Sequence, residues 1–371
     1  RIEFIKERGS PLFFLLCIIL FALRKVKAYG ISEERMRKFK KALIVFACIC
    51  VFTLFYTCSA LGVAAQPSEV YIGGMPAGFT LGLEGAQVIG VCEILTRDGA
   101  ACPARDAQLS VGDMIVEFNG VLIRSAEDIG AALKNYKGGA ATITVKDGKE
   151  SSKKQITPAL DAVTGQFKLG VLIRDSIAGI GTVTYIEKDS HRFGSLGHAV
   201  TGNEGELMPI SGEGSMYRCS IVNVVKGERG KAGELKGLFI NDACVATADK
   251  NCETGIYGTF SAEYDYSALS TVEIGEDASP GKASIYATVD GLSPKEYSVS
   301  IVKVDAQNGQ NKNFVLKVTD KELLEETGGI VQGMSGSPIV QNGKLVGAVT
   351  HVFLNDPTRG YGIAIENMFG N

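Results

Sequence analysis

Tryptophan is missing altogether, and histidine occurs only three times in 371 residues. The scarcity of imidazole narrows any search for a general base to His191, His198 and His351. Charge of one sign is also missing. The chain has 38 Lys and Arg against 41 Asp and Glu, a formal net charge of −3, which excludes the basic stripe that a nucleic-acid partner requires. No two cysteines stand in Cys-x-x-Cys spacing, so no zinc site is expected, and no cofactor is implied. Cys17, Cys48, Cys50 and Cys58 lie in or beside apolar segments. The remaining Cys92, Cys102, Cys219, Cys244 and Cys252 are odd in number and sparse for a disulfide framework, so they read as free thiols. What is plentiful is glycine, 45 residues, and the pattern is that of a turn-rich, mostly β protein.

The long apolar runs lie at the start. Pro11–Leu23 is too short to span a bilayer comfortably. The basic stretch Met36-Arg37-Lys38-Phe39-Lys40-Lys41 is followed by uncharged Ala42–Ala65, which ends in the small residues Val63-Ala64-Ala65. This order predicts a signal peptide or membrane anchor over residues 36–66. Its positive flank stays in the cytoplasm and the remainder is exported. On that reading residues 1–35 are a misassigned upstream extension, the alternative being a two-span hairpin.

Residues 68–160 predict a first exported domain. In Leu109-Ser110-Val111-Gly112-Asp113-Met114-Ile115-Val116-Glu117-Phe118-Asn119-Gly120 a glycine turn opens a strand and Asn-Gly turns it back. Ser125 with Asp128 reads as a capping box, and Ile129, Ala132, Leu133 and Tyr136 follow at helical spacing. Gly138-Gly139 ends the helix, and Thr142–Val145 is the next strand. This run resembles a PDZ domain. The resemblance makes Gly78-Phe79-Thr80-Leu81-Gly82-Leu83 the carboxylate-binding loop, with Leu81, Gly82 and Leu83 on a peptide ligand or C-terminus that adds as a strand.

Residues 161–371 read as a series of short strands, among them Leu169–Ile173, Thr182–Ile186, Val222–Val225, Ser284–Val289, Tyr297–Val302 and Phe314–Val318, with one helix at Asp320–Glu326. This is the texture of one or two β-barrels. Near the end stands Gly333-Met334-Ser335-Gly336-Ser337-Pro338. It is followed by Ile339-Val340-Gln341, the turn Asn342-Gly343 and the return strand Lys344–Thr350. The flanking glycines let the backbone turn tightly enough to aim the amides of Gly333 and Ser335 at one oxyanion. The segment looks like the nucleophile loop of chymotrypsin-like serine proteases, with Ser335 as nucleophile. His198, between small residues and an apolar run, is the candidate base. His191 lies in a polar hairpin tip, and His351 at a strand end that would border the substrate cleft. Asp175, Asp242, Asp265 and Asp320 are the candidate acids. The order His…Asp…Ser disfavours Asp175, and composition does not choose among the others.

Anchor, PDZ pattern, Ile173-Arg174-Asp175-Ser176-Ile177-Ala178-Gly179-Ile180-Gly181-Thr182, Leu196-Gly197-His198, the Ser335 loop and Thr350-His351-Val352-Phe353-Leu354-Asn355-Asp356-Pro357 occur in one chain. Together they resemble the stage IV sporulation protein B family of serine peptidases. The resemblance implies a mostly β chain with a chymotrypsin-like double β-barrel and the triad His198, Asp320 and Ser335. It further implies an exported sporulation endopeptidase that acts between the forespore and mother-cell membranes. Such an enzyme cleaves itself near its N-terminus and is freed from its anchor. It also cleaves a regulator of a membrane-embedded protease, so that a late sigma factor precursor is processed. Two other classes fit the same motifs, a general envelope quality-control protease and a non-catalytic exported PDZ scaffold.

Overall fold

The computed structural model describes residues 67–147, 150–201, 207, 210 and 214–369, with residues 147 and 241–243 described by backbone alone. The expected extension 1–35 and the expected anchor 36–66 lie outside the described residues. No helix among the described residues is long and apolar enough to cross a membrane.

The chain enters through β1 (Glu69–Ile72) and β2 (Pro76–Val91). A small hairpin, β3 (Ile94–Thr96) and β4 (Gly99–Ala101), leads to α1 (Pro103–Asp106). Next come β5 (Met114–Phe118), β6 (Val121–Leu122), α2 (Ala126–Asn135), β7 (Ala141–Asp147) and β8 (Glu150–Ile156). The short pair β9 (Ala159–Leu160) and β10 (Phe167–Lys168) precedes a 17-residue strand, β11 (Val171–Glu187). Then follow β12 (Arg192–Ser195), β13 (Gly214–Val225), β14 (Glu234–Cys252), β15 (Gly255–Phe260) and β16 (Thr271–Ile274). The last part holds β17 (Gly281–Ala287), β18 (Lys295–Val304), β19 (Phe314–Val318), α3 (Lys321–Thr327), β20 (Pro338–Gln341), β21 (Lys344–Phe353) and β22 (Asp356–Ala364).

The strand pairings close two rings. In the first, β2 pairs with β11, β11 with β12, β12 with β15, β15 with β14, β14 with β13, and β13 with β2 again. In the second, β17, β18, β19, β22, β21 and β20 pair in that order, and β20 returns to β17. Every pairing within the two rings is antiparallel. Closure removes the free edges that an open sheet would have to protect. Alternate side chains point inward, as period-two strands require. Phe79, Val183, Phe193, Met216 and Ile256 fill the first ring, and Ile285, Val299, Leu316, Ile339 and Val349 the second. Each such buried side chain is worth about 1.5–3 kcal/mol. β1 and β16 join the rings, since β1 pairs with β11 and β16, and β16 with β21.

A smaller module is inserted into the first ring. Its sheet runs β8, β7, β5, then Ala86–Gln87 of β2, then the start of β11. Its core holds Ile115, Phe118, Ile123, Ile129, Ile143 and Leu169. The local sequence reading holds here. Asn119 and Gly120 are both left-handed, at φ 49° and 78°, in the turn between β5 and β6. Ser125 and Asp128 form the reciprocal capping box at the start of α2.

The expected division at residue 160 needs correction. β1 and the first half of β2, expected in the PDZ segment, are strands of the ring assembly. The first residues of β11 complete the module's sheet. β2 and β11 therefore pass through both bodies as one ribbon, paired from Thr182↔Pro76 to Val171↔Val91 with register shifts at Leu172/Ile173 and Arg174/Ser176. Leu81, Gly82 and Leu83 are corrected with it. They lie inside β2, with Leu81 and Leu83 buried and Gly82 paired with Ser176, so they form no ligand loop. β13 holds the other edge of β2 at Ala77–Thr80, and β5 holds it at Ala86–Gln87.

Candidate active site

Ser335 sits in the turn before β20, and His198 three residues after β12, so the serine comes from the second ring and the histidine from the first. The histidine loop leaves β12 through two consecutive left-handed residues, Leu196 and Gly197, both at φ 66°. Leucine rarely adopts that conformation, and here its amide is held by the carbonyl of Thr182, at 3.3 Å. The side chain of Asn251 clamps the next stretch, accepting from Val200 N at 2.9 Å and donating to Val200 O at 2.8 Å.

The serine loop is pinned by β11. Thr182 N donates to Ser335 O at 3.0 Å, Thr182 Oγ1 to Gly333 O at 2.8 Å, and Thr184 Oγ1 to Gly336 O at 2.8 Å. Gly336 has φ 96°, and a Cβ there would lie 2.0 Å from Thr182 O, so only glycine fits. The main chain of Thr182 thus ties the nucleophile loop to the base loop. Within the serine loop, Met334 N, Gly336 N and Ser337 N are bonded to Val331 O, Val349 O and Met334 O. Among the described residues, no acceptor faces the amides of Gly333 and Ser335.

One cavity of about 520 Å³ is lined by His198, Gly333, Ser335, Thr350 and His351 together with Phe79, Leu81, Ile177, Ile180, Leu196, Ile256, Ile330 and Leu354. Its wall is mostly apolar, with the polar groups gathered at His198, Gln332, Ser335, Thr350 and His351. A second cavity of about 380 Å³ shares Gly179, Ile180, Gln332 and Gly333 with it. The Ser335 hydroxyl donates to Thr350 O at 2.7 Å. His198 Nδ1 lies 2.8 Å from Ala199 O. A carbonyl only accepts, so Nδ1 carries the proton and Nε2 keeps its lone pair. Burial lowers the His198 pKa, against the pull of the Ala199 carbonyl. His351 stacks obliquely on His198 with ring centroids 4.7 Å apart. Burial, then the neighbouring His198 and Lys312, lower its pKa to about 4. Both rings are neutral near pH 7.

The candidate acids fall elsewhere. Asp320 caps α3, accepting from Leu323 N and from Ser298 N, each at 3.1 Å. It is not among the residues that line the cavity. The orienting bond expected from Asp320 comes instead from the carbonyl of Ala199. Asp175 accepts from Ala126 N at the start of α2, and Asp265 bonds Ser267. The side chain of Asp242 lies outside the described residues. His191 stacks on Tyr266, away from the cavity. Cys92, Cys102, Cys219 and Cys244 are free thiols.

Sequence reasoning missed two features. Thr350, at the cavity, has a buried Oγ1 with no partner among the described residues. Leu169 and Gly170 are buried, and among the described residues their amides have no acceptor. A signal for the latter exists in Leu169-Gly170-Val171, an apolar–Gly–apolar step of the kind sought at Leu81–Leu83.

A serine and a neutral imidazole from two strand rings, sharing a cavity beside free amides, are the parts of a serine peptidase. Residues 165–369 match the family model described as SpoIVB peptidase S55, and the chain belongs to that family of serine peptidases. Among solved structures, the PDZ domain of the SdrC-like protein from Listeria monocytogenes is similar at 23% identity. That match covers 24% of this chain and 87% of that one, with a TM-score of 0.20. A comparison with curated proteins gives no match.

Proposed function

We propose that the two closed rings are the barrels of a chymotrypsin-like endopeptidase in which Ser335 is the nucleophile and His198 the general base. The support for this reading is that both side chains line one cavity, beside the two unbonded amides of the serine loop. In the reaction the Ser335 hydroxyl turns from Thr350 O to Nε2 of His198 and attacks the peptide carbonyl. The imidazole takes the proton and returns it to the leaving amine, while Gly333 N and Ser335 N hold the oxyanion. The imidazolium formed keeps its Nδ1–H on Ala199 O. The apolar cavity suits a bulky apolar residue beside the cleaved bond.

On this reading the enzyme acts after export, between the forespore and mother-cell membranes, anchored by its N-terminal segment until it cleaves itself. Its protein substrate is a membrane-bound regulator of an intramembrane protease, whose release lets a late sigma factor precursor be processed. A fluorophosphonate probe tests the chemistry. The full chain takes the label on Ser335, while Ser335→Ala takes none and accumulates as uncleaved precursor. An unlabelled wild-type chain, or normal maturation of Ser335→Ala with no second copy present, overturns the reading. Loss of the nucleophile costs on the order of 10⁶ in rate.

A further inference from the structure

The outer face of the second ring carries cations without counter-charges among the described residues. Lys317 of β19 and Arg359 of β22 stand directly opposite each other in the ladder. Leu316 and Val318 on one strand and Gly360 on the other are buried, so by alternation both charged side chains face outward. Like charges so placed repel. Neither has an ion pair among the described residues. The Nε of Arg359 is buried with no partner, and a buried donor left unmet is costly. The next outward residue of β22, Tyr361, carries the Nζ of Lys312 over its ring at 5.2 Å and packs on Phe353 with centroids 4.6 Å apart. Lys312 also has no ion pair among the described residues. The acids close by in sequence are engaged elsewhere. Asp305 pairs with Lys303, and Asp356 accepts from Thr358.

This face borders the catalytic cavity through β21. Thr350, His351 and Val352 line the cavity, and Phe353 follows them. β20 pairs with β21 only as far as Ala348, and Val349 bonds the serine loop. From Thr350 to Phe353 that edge meets no strand among the described residues. Thr350 O takes the Ser335 hydroxyl at 2.7 Å, which marks the end of the edge where a bond would be cut. Burial, then His198, then Lys312 lower the pKa of His351, so the Lys312 charge is felt at the cavity rim. A peptide added antiparallel, as in every ladder of the two rings, has its upstream residues towards Phe353. Steps of about 3.3 Å carry it from Thr350 to that aromatic pair.

We propose that Lys312 and Arg359 form a specificity subsite for an acidic residue of the substrate, roughly three to five positions upstream of the cleaved bond. The carboxylate takes the guanidinium in the two-bond geometry that arginine favours, beside Tyr361 and the Lys312 ammonium. It meets the orphan Nε donor and relieves the repulsion between Lys317 and Arg359. The occupant is an extended protein segment rather than a free anion, because the patch continues an edge that takes main chain. In a chain of net charge −3 this is a local field and not general basicity. This deepens the endopeptidase reading and rests on it.

The test uses the full chain and synthetic peptides with a single leucine set in serine. One upstream serine at a time is replaced by aspartate or by lysine, and cut sites are read by mass spectrometry. Aspartate roughly three to five positions before the cut should raise kcat/KM about tenfold over serine, chiefly through KM, and lysine there should lower it. The gain should shrink in high salt, as that of a partly exposed ion pair does. Arg359→Gln and Lys312→Gln should each reduce the preference for aspartate, and Lys312→Glu combined with Arg359→Glu should pass it to lysine. Each variant is compared once it takes a fluorophosphonate label on Ser335. Where Arg359→Glu does not fold, Lys312→Glu alone carries the reversal. Equal cleavage of the aspartate, serine and lysine peptides, or a preference that survives the charge reversal, overturns the subsite and leaves the peptidase intact. Labelled wild-type enzyme that cuts none of the aspartate peptides also refutes the subsite, whereas unlabelled wild-type enzyme refutes the peptidase reading beneath it.

Discussion

Asp320 shows how one carboxylate can serve the fold rather than the chemistry. Its two oxygens satisfy Leu323 N at the start of α3 and Ser298 N on β18. Asp320→Ala therefore costs about 1 kcal/mol or more of stability in urea denaturation, as loss of a cap does. Asp320→Asn retains the cap, since Asn and Asp cap equally well, and keeps peptide cleavage within about threefold. A variant of normal stability that had lost about 10⁴ in rate would instead put this carboxylate behind the imidazole. His351 makes a pH prediction. An unfolded imidazole titrates near 6.5, and that of His351 in the fold near 4. Between these values the unfolded state holds more protons, so stability is full above about pH 6.5 and is lost as the pH falls towards 4. His351→Gln flattens that slope in denaturation curves taken across the window. The lowered pKa of His198 keeps the base unprotonated further into acid, so the acid limb of kcat/KM lies below the ordinary histidine value. At this scale a loop motif and a scarcity of histidine singled out Ser335 and His198, two side chains that line one cavity. The partner of His198 was not legible, because a main-chain carbonyl leaves no trace in residue identity.

β11 carries more of the site than any motif announced. Its Thr182 and Thr184 hold the carbonyls of Gly333, Ser335 and Gly336. Thr182→Val removes the hydroxyl that fixes Gly333 O. It should lower kcat about tenfold with little change in KM, in steady-state cleavage of a leucine-containing peptide. The hairpins at Asn119-Gly120 and Asn342-Gly343 were legible, since both tip residues of each take positive φ and Asn-Gly favours that. α2 was legible from its capping box, and α3 was expected at Asp320–Glu326 without its cap being read. The two long strands were not legible. Gly179 and Gly181 read as punctuation, and Leu169–Ile173 and Thr182–Ile186 therefore read as separate strands. In the fold Gly181 is where a Cβ would strike the Leu196 side chain at 2.0 Å, a demand for close approach rather than for a turn. Gly78 and Gly82 misled in the same way. Ladder partners about a hundred residues apart leave no local period to read.

Among the described residues, the inserted module and the first ring are interlocked rather than strung. The core of the inserted module includes Leu169 and takes Phe167, Val171 and Ile173 against it, all beyond residue 160. The first ring needs β2, which lies before it. Fragments 68–160 and 161–371, each expressed alone, should therefore give the circular dichroism and broad denaturation of unfolded or molten chains. Co-expressed, they should recover a cooperative transition. Two compact fragments that fold separately would show the ribbon to be dispensable. The broad sheet character of the molecule was legible from glycine content and strand texture. Its division was misjudged because composition changes at Ser151-Ser152-Lys153-Lys154, which is only an exposed strand, β8.

The ribbon also bears on ancestry. Gly82 and Ser176 face each other across one ladder, so the chain leaves the first ring and re-enters it at the same place. Everything between them is a detour with adjacent ends. A two-residue tight turn could replace the whole excursion and leave both rings joined as before. Such an architecture can be gained in a single genetic splice, without rerouting the hydrolytic body. The pruned descendant would keep the cavity that Ser335 and His198 share.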